Sequence, residues 1–295
     1  MPRVDVIVVC WNDKDKIATA LDSIFALSEL HEDPQFARVV VSDNGSSDGS
    51  REYIRKRYGD RVQIVENGRN LGFGAACNRA FLATTSQYVY LLNPDAEIRD
   101  RALANIVDFM DAHPACGIAG SRIFDPDGSV QQSCGEFDTW LGAFLRSSAW
   151  GEWPFLQRFA NGASLRGWHY DTERQVDLAI GAALAIRRSL FRDVGLFDER
   201  FFLYHEEVDY ARRVRDAGYE VWFVPSSVAV HAGQGSARGL YSVERHKQRS
   251  RRKYWLKHHG VAWYAALVAA LAGRYVLYAA LIGGAALGAR RLLWR

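Results

Sequence analysis

Short apolar runs alternate with helically spaced apolar residues along the first half of the chain. The runs are rich in Val, Ile, Leu and aromatic residues, which is typical of strands buried on both faces. They occupy residues 4–11, 39–41, 62–65 and 88–92. Between the first two runs, Ile17, Leu21 and Ile24 recur at the spacing of one helix face. This alternation predicts an α/β domain with a mostly parallel sheet flanked by helices.

The pattern continues beyond residue 100, but less regularly. A helix carrying Leu103, Ile106 and Met110 is predicted there, with Asp100 as its N-cap. Further elements are predicted as strands at 116–123, 176–188 and 219–225, and as a helix at 205–218. The Trp-, Phe- and Gly-rich residues 135–175 match neither pattern and could form a wall for an acceptor or pack over the sheet.

Polar side chains follow three of the predicted strands at the point where each strand ends. They are Asn12-Asp13, Asp43-Asn44 and Asn93-Pro94-Asp95. Each group alone could be a capping Asx turn. The carboxyl ends of parallel strands meet at one edge of the sheet, where ligands bind in such folds. The three groups together therefore predict a ligand site.

Composition narrows the class of protein. A chain of 295 residues with 48% hydrophobic and 24% charged residues can form one large folded domain, with or without an appendage. The four cysteines form no CxxC pair, so zinc and redox motifs are not indicated and buried thiols are expected. The N-terminus has no basic segment followed by a long apolar stretch, which favours a cytoplasmic, reducing location.

Asp95 is the best candidate for a metal ligand. Hard divalent cations take oxygen ligands and need only one or two carboxylates where phosphates supply the rest. His231 follows a late strand and would join Asp95 only if the fold returns it there; otherwise it is a structural histidine. Gly72 and Gly74 do not form a dinucleotide fingerprint, because Cys77 stands where a third glycine is needed.

Glu206 and Glu207 open a predicted helix. Acids in a first helical turn are favoured by the helix dipole without any further function. The preceding segment "FDERFFLYH" is strongly aromatic, however, and an apolar pocket would raise the pKa of a carboxyl group and suit it to act as a general base. Both interpretations remain open from the pattern alone.

Several motifs in order resemble those of family 2 glycosyltransferases, in the rhamnosyltransferase-like branch with the GT-A fold. They are "VVCWND", "VSDNGSSDGS", "NLGFGAACNRA", "LLNPDA", "GAALAIRRSLFRDVGLFDERFFLYHEEVDYARRVRDAGYEVWFVP" and "VHAGQGS". The resemblance covers roughly residues 3–240. Each motif is weak alone, whereas the ordered set is highly specific.

The resemblance implies a role for each matching residue. Asp43 would contact the nucleotide base. Asp95 and His231 would hold Mg²⁺ or Mn²⁺. Asn93 stands in place of the first acid of the family's Asp-x-Asp motif. Glu207, with Glu206 as the alternative, would be the base, although the family usually has Asp at the second position. The implied nucleotide-sugar-binding residues are Asn12, Asp43, Asn44, Asn70, Gly72, Asn78 and Asn93.

The implied reaction is the transfer of a sugar from a dTDP- or UDP-sugar with inversion, and the resemblance favours dTDP-rhamnose as the donor. The acceptor would be a glycan or a polyprenyl-diphosphate-linked sugar in cell-surface glycan synthesis. A sugar nucleotidyltransferase is one alternative, but it needs a Gly-rich N-terminal motif and residues 4–15 contain no glycine. A non-catalytic scaffold for polysaccharide assembly is another. Apart from one basic run, nothing in the chain supports nucleic-acid binding, so none is expected. The sequence does not decide whether the protein forms oligomers.

The C-terminal residues predict a membrane-associating tail, residues 244–295, after a catalytic domain of residues 1–243. Residues 244–260 are strongly cationic, and residues 261–289 carry one charge, Arg274. Both flanks of the apolar run are basic, and positive residues stay cytoplasmic. We therefore expect a re-entrant or interfacial helix pair on the inner face of the membrane, broken near Gly273 or Gly283-Gly284. A single span, or a helix for soluble packing or oligomerisation, is the alternative.

Overall fold

The computed structural model describes residues 2–147, 168–233 and 240–292, with only the backbone described at 146–147, 240–242, 274 and 277–292. Much of the Trp-rich segment whose role was left open therefore lies outside the described residues. The chain divides into two compact units. One comprises Met1–Gly135 and Gly167–Arg251, and the other comprises Glu136–Arg166 and Arg252–Arg295.

Twelve strands are present in the described ranges. They are β1 Val4–Cys10, β2 Ala37–Asp43, β3 Val62–Glu66, β4 Tyr88–Leu92, β5 Ala96–Ile98, β6 Cys116–Phe124, β7 Val130–Gln131, β8 Cys134–Gly135, β9 Arg174–Val176, β10 Leu178–Ala179, β11 Ala183–Arg187 and β12 Glu220–His231. The helices are α1 Ile17–Phe25, α2 Ser28–Glu32, α3 Ser50–Tyr58, α4 Phe73–Phe81, α5 Ala102–Ala112, α6 Trp140–Ser147, α7 Leu190–Asp193, α8 Glu206–Asp216 and α9 Leu240–Leu292.

The main sheet has the order β3-β2-β1-β4-β11-β6-β12-β5, with β7 added beside β6 and β9 beside β12. The first four strands are parallel, as predicted. The sheet as a whole is mixed, so the prediction of a mostly parallel sheet is wrong for its second half. There β11 runs antiparallel to both β4 and β6, and β5 runs antiparallel to β12. An apolar run indicates that a strand is buried but says nothing about its direction.

The core covers the parallel strands on both faces. Val6, Val8 and Tyr90 are fully buried, as are Leu21 of α1 and Ile106 of α5. All four cysteines are buried and free, which confirms the expectation of buried thiols. Burial raises the pKa of the Cys10 thiol to about 11, so this thiol stays protonated at neutral pH.

The N-terminus of α5 is capped from another part of the chain. Asp100 was predicted to cap this helix, but its carboxylate instead accepts a hydrogen bond of 2.8 Å from the backbone N–H of Ser28 in α2. The buried Glu29 of α2 accepts from the backbone N–H groups of Arg101 and Leu103, at 3.1 and 3.2 Å. The prediction for Asp100 is therefore wrong, because a carboxylate from a neighbouring helix satisfies the free N–H groups.

In the second unit, α6 packs on the later part of α9 through Trp140 and Trp263, whose ring centroids lie 4.8 Å apart. The one non-helical residue in α9 is Gly260, with φ 81° and ψ 173°. The helix continues through Gly273 and Gly283-Gly284, so the predicted position of the break is wrong. Glycine adopts positive φ at little steric cost, which suits Gly260 to the kink. None of the helices in the described ranges combines the length and the apolar composition of a membrane-spanning segment.

Candidate functional site

The polar strand ends lie side by side at one edge of the sheet. In parallel register, Cys10 of β1 pairs with Asp43 of β2, and Val8 of β1 pairs with Leu92 of β4. The segments that follow these strands therefore begin at the same level. The predicted meeting of the strand ends is observed, and it brings the loops of Asn12, Asp43 and Asn93 together.

Asp43 and Asn12 are held by the turn that follows β2. The Asp43 carboxylate is buried, accepts hydrogen bonds of 3.3 Å from the Ser46 N–H, and lies 3.6 Å from the Arg51 guanidinium. Asn12 has φ 55°, and its side-chain oxygen accepts a bond of 2.8 Å from the Ser47 N–H. These contacts orient both side chains before any ligand binds. Their predicted contacts with a nucleotide remain predictions.

Asn44, Asn70 and Gly72 form one hydrogen-bonded network within the protein. The Asn44 amide donates to the Asn70 side-chain oxygen at 3.0 Å and to the Gly72 carbonyl at 3.2 Å, and it accepts from the Leu71 N–H. Asn44 is 3% exposed, so this network joins the β2 loop to the segment before α4. The direct donor contacts predicted for these residues remain predictions.

Asn78 also makes its hydrogen bonds within the protein. Its amide donates to the Phe197 carbonyl at 2.9 Å and to the Glu199 carboxylate at 3.1 Å, and its oxygen accepts from the Phe197 N–H at 3.0 Å. The side chain therefore fixes the loop that leads into α8. Donor binding by Asn78 remains a prediction.

Gly72 allows that same loop to approach α4 closely. Its φ is 90°, and a Cβ at this position would lie 2.2 Å from the Phe202 carbonyl oxygen. The same oxygen accepts a 2.9 Å hydrogen bond from the Phe73 N–H. Two residues later, a Cβ at Gly74 would lie 3.3 Å from the Cβ of Glu206. The glycines of this segment therefore position the loop and helix that carry the two glutamates.

Asp95, Asn93 and His231 lie together, although His231 is far away in the chain. Strand β12 pairs with β5 so that His231 is opposite Ala96. This pairing places His231 Nε2 at 3.3 Å from Asp95 Oδ1 and at 3.2 Å from Asn93 Nδ2. Asp95 Oδ2 is buried and has no hydrogen-bond partner among the described residues. The condition on which His231 could act as a second ligand is therefore met.

A third residue, Gln131 of β7, orients the His231 ring. Gln131 Nε2 donates to Asp125 Oδ1 at 2.9 Å, so the amide oxygen faces His231 Nδ1, 3.0 Å away. Nδ1 then carries a proton, and Nε2 is the ring nitrogen that faces Asp95. Metal-binding histidines are commonly held by such a bond from the other ring nitrogen. Sequence reasoning missed Gln131, since a glutamine in a polar segment carries no signal of its own.

Electrostatics keep Asp95 ionised. Burial acts to raise its pKa, but the hydrogen bond and charge of His231 and the nearby Lys16 ammonium outweigh burial, and the net shift is downward. The pKa of Asp13 shifts upward, because it is buried and lies near the charges of Asp95 and Asp48. An ionised carboxylate with an unpartnered oxygen, beside an imidazole nitrogen, fits a divalent cation.

That cation would need ligands from outside this pair. No group of three or more His, Cys, Asp or Glu side chains suited to a metal occurs in the described ranges. Magnesium-type sites commonly combine one or two protein ligands with the phosphates of a substrate. The pair Asp95 and His231 therefore fits a metal that arrives with, or is completed by, a phosphate ligand.

Glu206 and Glu207 begin α8 directly after two residues with left-handed backbone, Tyr204 at φ 66° and His205 at φ 69°. Such conformations are costly for non-glycine residues and persist only where surrounding structure holds them. Burial raises the pKa of both glutamates, and the charge of Glu207 adds to the rise at Glu206. One carboxylate oxygen of each is buried without a partner in the described structure.

The two glutamates differ in access. Glu207 lines a cavity of about 310 Å³, together with Tyr204 and residues of α9. Glu206 is 3% exposed, packs against Gly74 of α4 and does not line that cavity. A general base must come within hydrogen-bond reach of the proton that it removes. The geometry therefore favours Glu207 for that role.

Comparisons with known proteins show the family to which the chain is related. The family Glycosyl transferase family 2 matches residues 5–195. A protein of Mycobacterium tuberculosis, N-acetylglucosaminyl-diphospho-decaprenol L-rhamnosyltransferase, is 32% identical over 205 residues. That alignment covers 65% of this chain and 66% of the relative, so the chain spans just under two thirds of its length.

Solved structures share the fold at low sequence identity. GalNAc-T7, solved with UDP, GalNAc and Mn²⁺, superposes with a TM-score of 0.61 at 18% identity, over 90% of this chain and 50% of that one. The mannosyltransferase PcManGT of Pyrobaculum calidifontis, solved with GDP-Man and Mn²⁺, superposes with a TM-score of 0.56 at 21% identity, over 97% and 80% of the two chains. These likenesses show a GT-A-like α/β fold.

Proposed function

Because the chain belongs to glycosyl transferase family 2 and is a glycosyltransferase, we propose that it transfers a sugar from a nucleotide-sugar with inversion, using a divalent metal. Family membership favours this activity over the nucleotidyltransferase and scaffold alternatives. The observation that best supports a metal-dependent reaction is that the fold places His231 beside Asp95. The second carboxylate oxygen of Asp95 is buried and has no hydrogen-bond partner in the described structure.

Asp95 Oδ2 and His231 Nε2 would hold Mg²⁺ or Mn²⁺ in this proposal. When bound, such an ion neutralises the charge that develops on a diphosphate leaving group. Asp43, oriented by Ser46 and Arg51, would accept a hydrogen bond from the nucleotide base. The preformed loops at the strand ends would thus hold the donor in one orientation, and positioning of this kind contributes much of the rate.

Glu207 would remove the proton of the acceptor hydroxyl. As that oxygen forms its bond to the anomeric carbon, the bond between the anomeric carbon and the diphosphate oxygen breaks on the opposite face, and the nucleoside diphosphate leaves. One displacement inverts the anomeric configuration. The raised pKa of Glu207 supports this role, because it makes the carboxylate a stronger base than an exposed glutamate.

The donor we propose is dTDP-rhamnose, and the acceptor a sugar linked to a polyprenyl diphosphate, in the synthesis of cell-surface glycans. The support is the relative of M. tuberculosis, whose name specifies an L-rhamnosyltransferase acting on a diphospho-decaprenol-linked sugar. A sugar carried on such a lipid must be reached at a membrane surface, so this acceptor also implies association with that surface.

We further propose that the later part of α9 lies on the inner surface of the cell membrane. Its exposed apolar side chains include Val261, Trp263 and Leu271, and the basic residues Lys253 and Lys257 precede them. Apolar residues beside basic ones are typical of helices that lie in a bilayer interface. Flotation with anionic vesicles tests this, and a chain truncated after residue 260 should no longer float. Equal flotation of both chains would contradict it.

A panel of nucleotide-sugars tests the proposed reaction. We expect one donor to raise the melting temperature in the presence of Mn²⁺, and to release nucleoside diphosphate in a reaction that EDTA stops. The matched control is Asp95→Asn, which should release none. Release of pyrophosphate from a nucleoside triphosphate and a sugar phosphate would instead identify a nucleotidyltransferase. Turnover that is unaffected by EDTA would rule out the metal-dependent mechanism.

A further inference from the structure

The cavity beside Glu207 has two walls of different chemistry. Tyr204, Glu207 and Val208 form one wall, at the start of α8, and Lys247, Gln248 and Arg251 of α9 belong to the other. One wall therefore carries the proposed base, and the other carries two cations. All of these residues lie in the first compact unit.

The early part of α9 is held in place beside the loop that leads to Glu207. The buried Ser250 donates a hydrogen bond of 2.8 Å from its hydroxyl to the Leu203 carbonyl. The His246 ring stacks on Phe202, with centroids 5.1 Å apart. These contacts fix the rotation of the helix about its axis, so that Lys247 and Arg251 face the cavity. The basic wall is therefore a positioned surface of the protein.

Lys247 and Arg251 have no acidic partner within the part of the chain that the structure describes. The nearby Glu244 carboxylate accepts a hydrogen bond from Gln248. Lys247 lies 5.2 Å from the centroid of the Tyr204 ring, which is a weak contact for an exposed cation. Glu207 and Glu244 also line the cavity, but neither forms an ion pair with these cations in the described structure. Two positive charges that face a cavity without an ion-pair partner favour an anionic ligand.

We propose that this cavity is the acceptor site, and that Lys247 and Arg251 bind the diphosphate that links the acceptor sugar to its lipid. This inference rests on the proposed function. Bound in this way, the sugar ring would lie between the two cations and Glu207, with a hydroxyl directed at the base. A volume of about 310 Å³ is at the small end of ligand pockets, which suits one sugar with its phosphates.

Binding measurements without any donor test the site directly. The probes are a sugar diphosphate with a short alkyl chain and the matching alkyl glycoside that lacks phosphates. We expect Lys247→Gln and Arg251→Gln each to weaken binding of the diphosphate probe about tenfold, and to leave the uncharged glycoside unaffected. Arg245→Gln and Arg249→Gln remove the same charge from exposed positions of the same helix outside the cavity, and should bind both probes as the wild type does.

Two results would overturn the proposal. One is an equal loss of diphosphate binding in the cavity variants and the control variants, which would indicate a general effect of net charge. The other is a loss confined to vesicles of phosphatidylglycerol, with binding of the soluble diphosphate unchanged, which would assign the two cations to a lipid headgroup. Melting curves of each variant ensure that only folded proteins are compared.

Donor hydrolysis, measured on the same preparations, separates this inference from the proposed function. If the wild type hydrolyses a donor but the diphosphate probe binds all variants equally, the acceptor site is wrong and the transferase stands. If no donor is hydrolysed while the probe still depends on Lys247 and Arg251, the cavity binds diphosphate and the proposed reaction fails.

Discussion

Replacing Glu207 with glutamine distinguishes a general base from a carboxylate that only begins a helix. The amide has the same size but cannot accept a proton, so we expect transfer at saturating donor to fall about 10²–10⁴-fold. Donor affinity should remain near that of the wild type, because Asp43 and Asp95 lie at the strand ends. Glu206→Gln is the matched control, and its loss should be much smaller, because Glu206 does not line the cavity.

The same two variants should also change how stability depends on pH. Burial raises the pKa of both glutamates above the ordinary value of 4.5, so the folded protein keeps protons that the unfolded chain releases. The free energy of unfolding is therefore highest below that value and falls as pH rises towards the folded pKa. Each such group contributes a slope of at most about 1.4 kcal/mol per pH unit.

Urea unfolding at a series of pH values measures this slope. Each glutamine variant lacks one titrating group, so its stability should fall less with rising pH and exceed that of the wild type at neutral pH. A gain of about 1 kcal/mol corresponds to roughly 2–4 °C in melting temperature for a domain of this size. If both variants instead keep their turnover and lose about 0.3–1 kcal/mol, the carboxylates only complement the helix dipole. A rate loss confined to Glu206→Gln would move the base by one residue.

Three other substitutions test the remainder of the site. Asp95→Asn should abolish Mn²⁺ binding measured by calorimetry in the presence of a nucleoside diphosphate, with little change in melting temperature; unchanged binding would exclude Asp95 as a ligand. Gln131→Leu removes the acceptor that keeps the proton on His231 Nδ1, so Mn²⁺ affinity should fall about 10–100-fold. The control Gln132→Leu should bind Mn²⁺ as the wild type does, and equal affinities of the two variants would contradict the role of Gln131. Gly72→Ala would bring a Cβ within 2.2 Å of a carbonyl oxygen in the loop before α8, so it should lower both the melting temperature and transfer; a wild-type melting curve would refute that close approach.

The α/β class and the edge that carries the site could be predicted from local features of the sequence. Continuous apolar runs and helically spaced apolar residues indicate which segments are buried. This information lies in the residues of each segment itself. Parallel neighbours end at the same edge of a sheet, so the polar groups after β1, β2 and β4 were expected to meet. Asp95 stood out for the same reason, as a carboxylate placed behind a proline at a strand end.

Only the tertiary structure decided which distant residues complete each part of the site. His231 reaches Asp95 because β12 pairs with β5 in one register, and a slip of one residue would turn its side chain to the other face. The roles of Gln131 beside His231 and of Glu29 at the start of α5 likewise depend on contacts across the fold. The access of Glu207 to the cavity depends on where α9 packs. Contacts between residues far apart in the chain follow from strand order, direction and register, and local patterns of apolar and polar residues do not encode these.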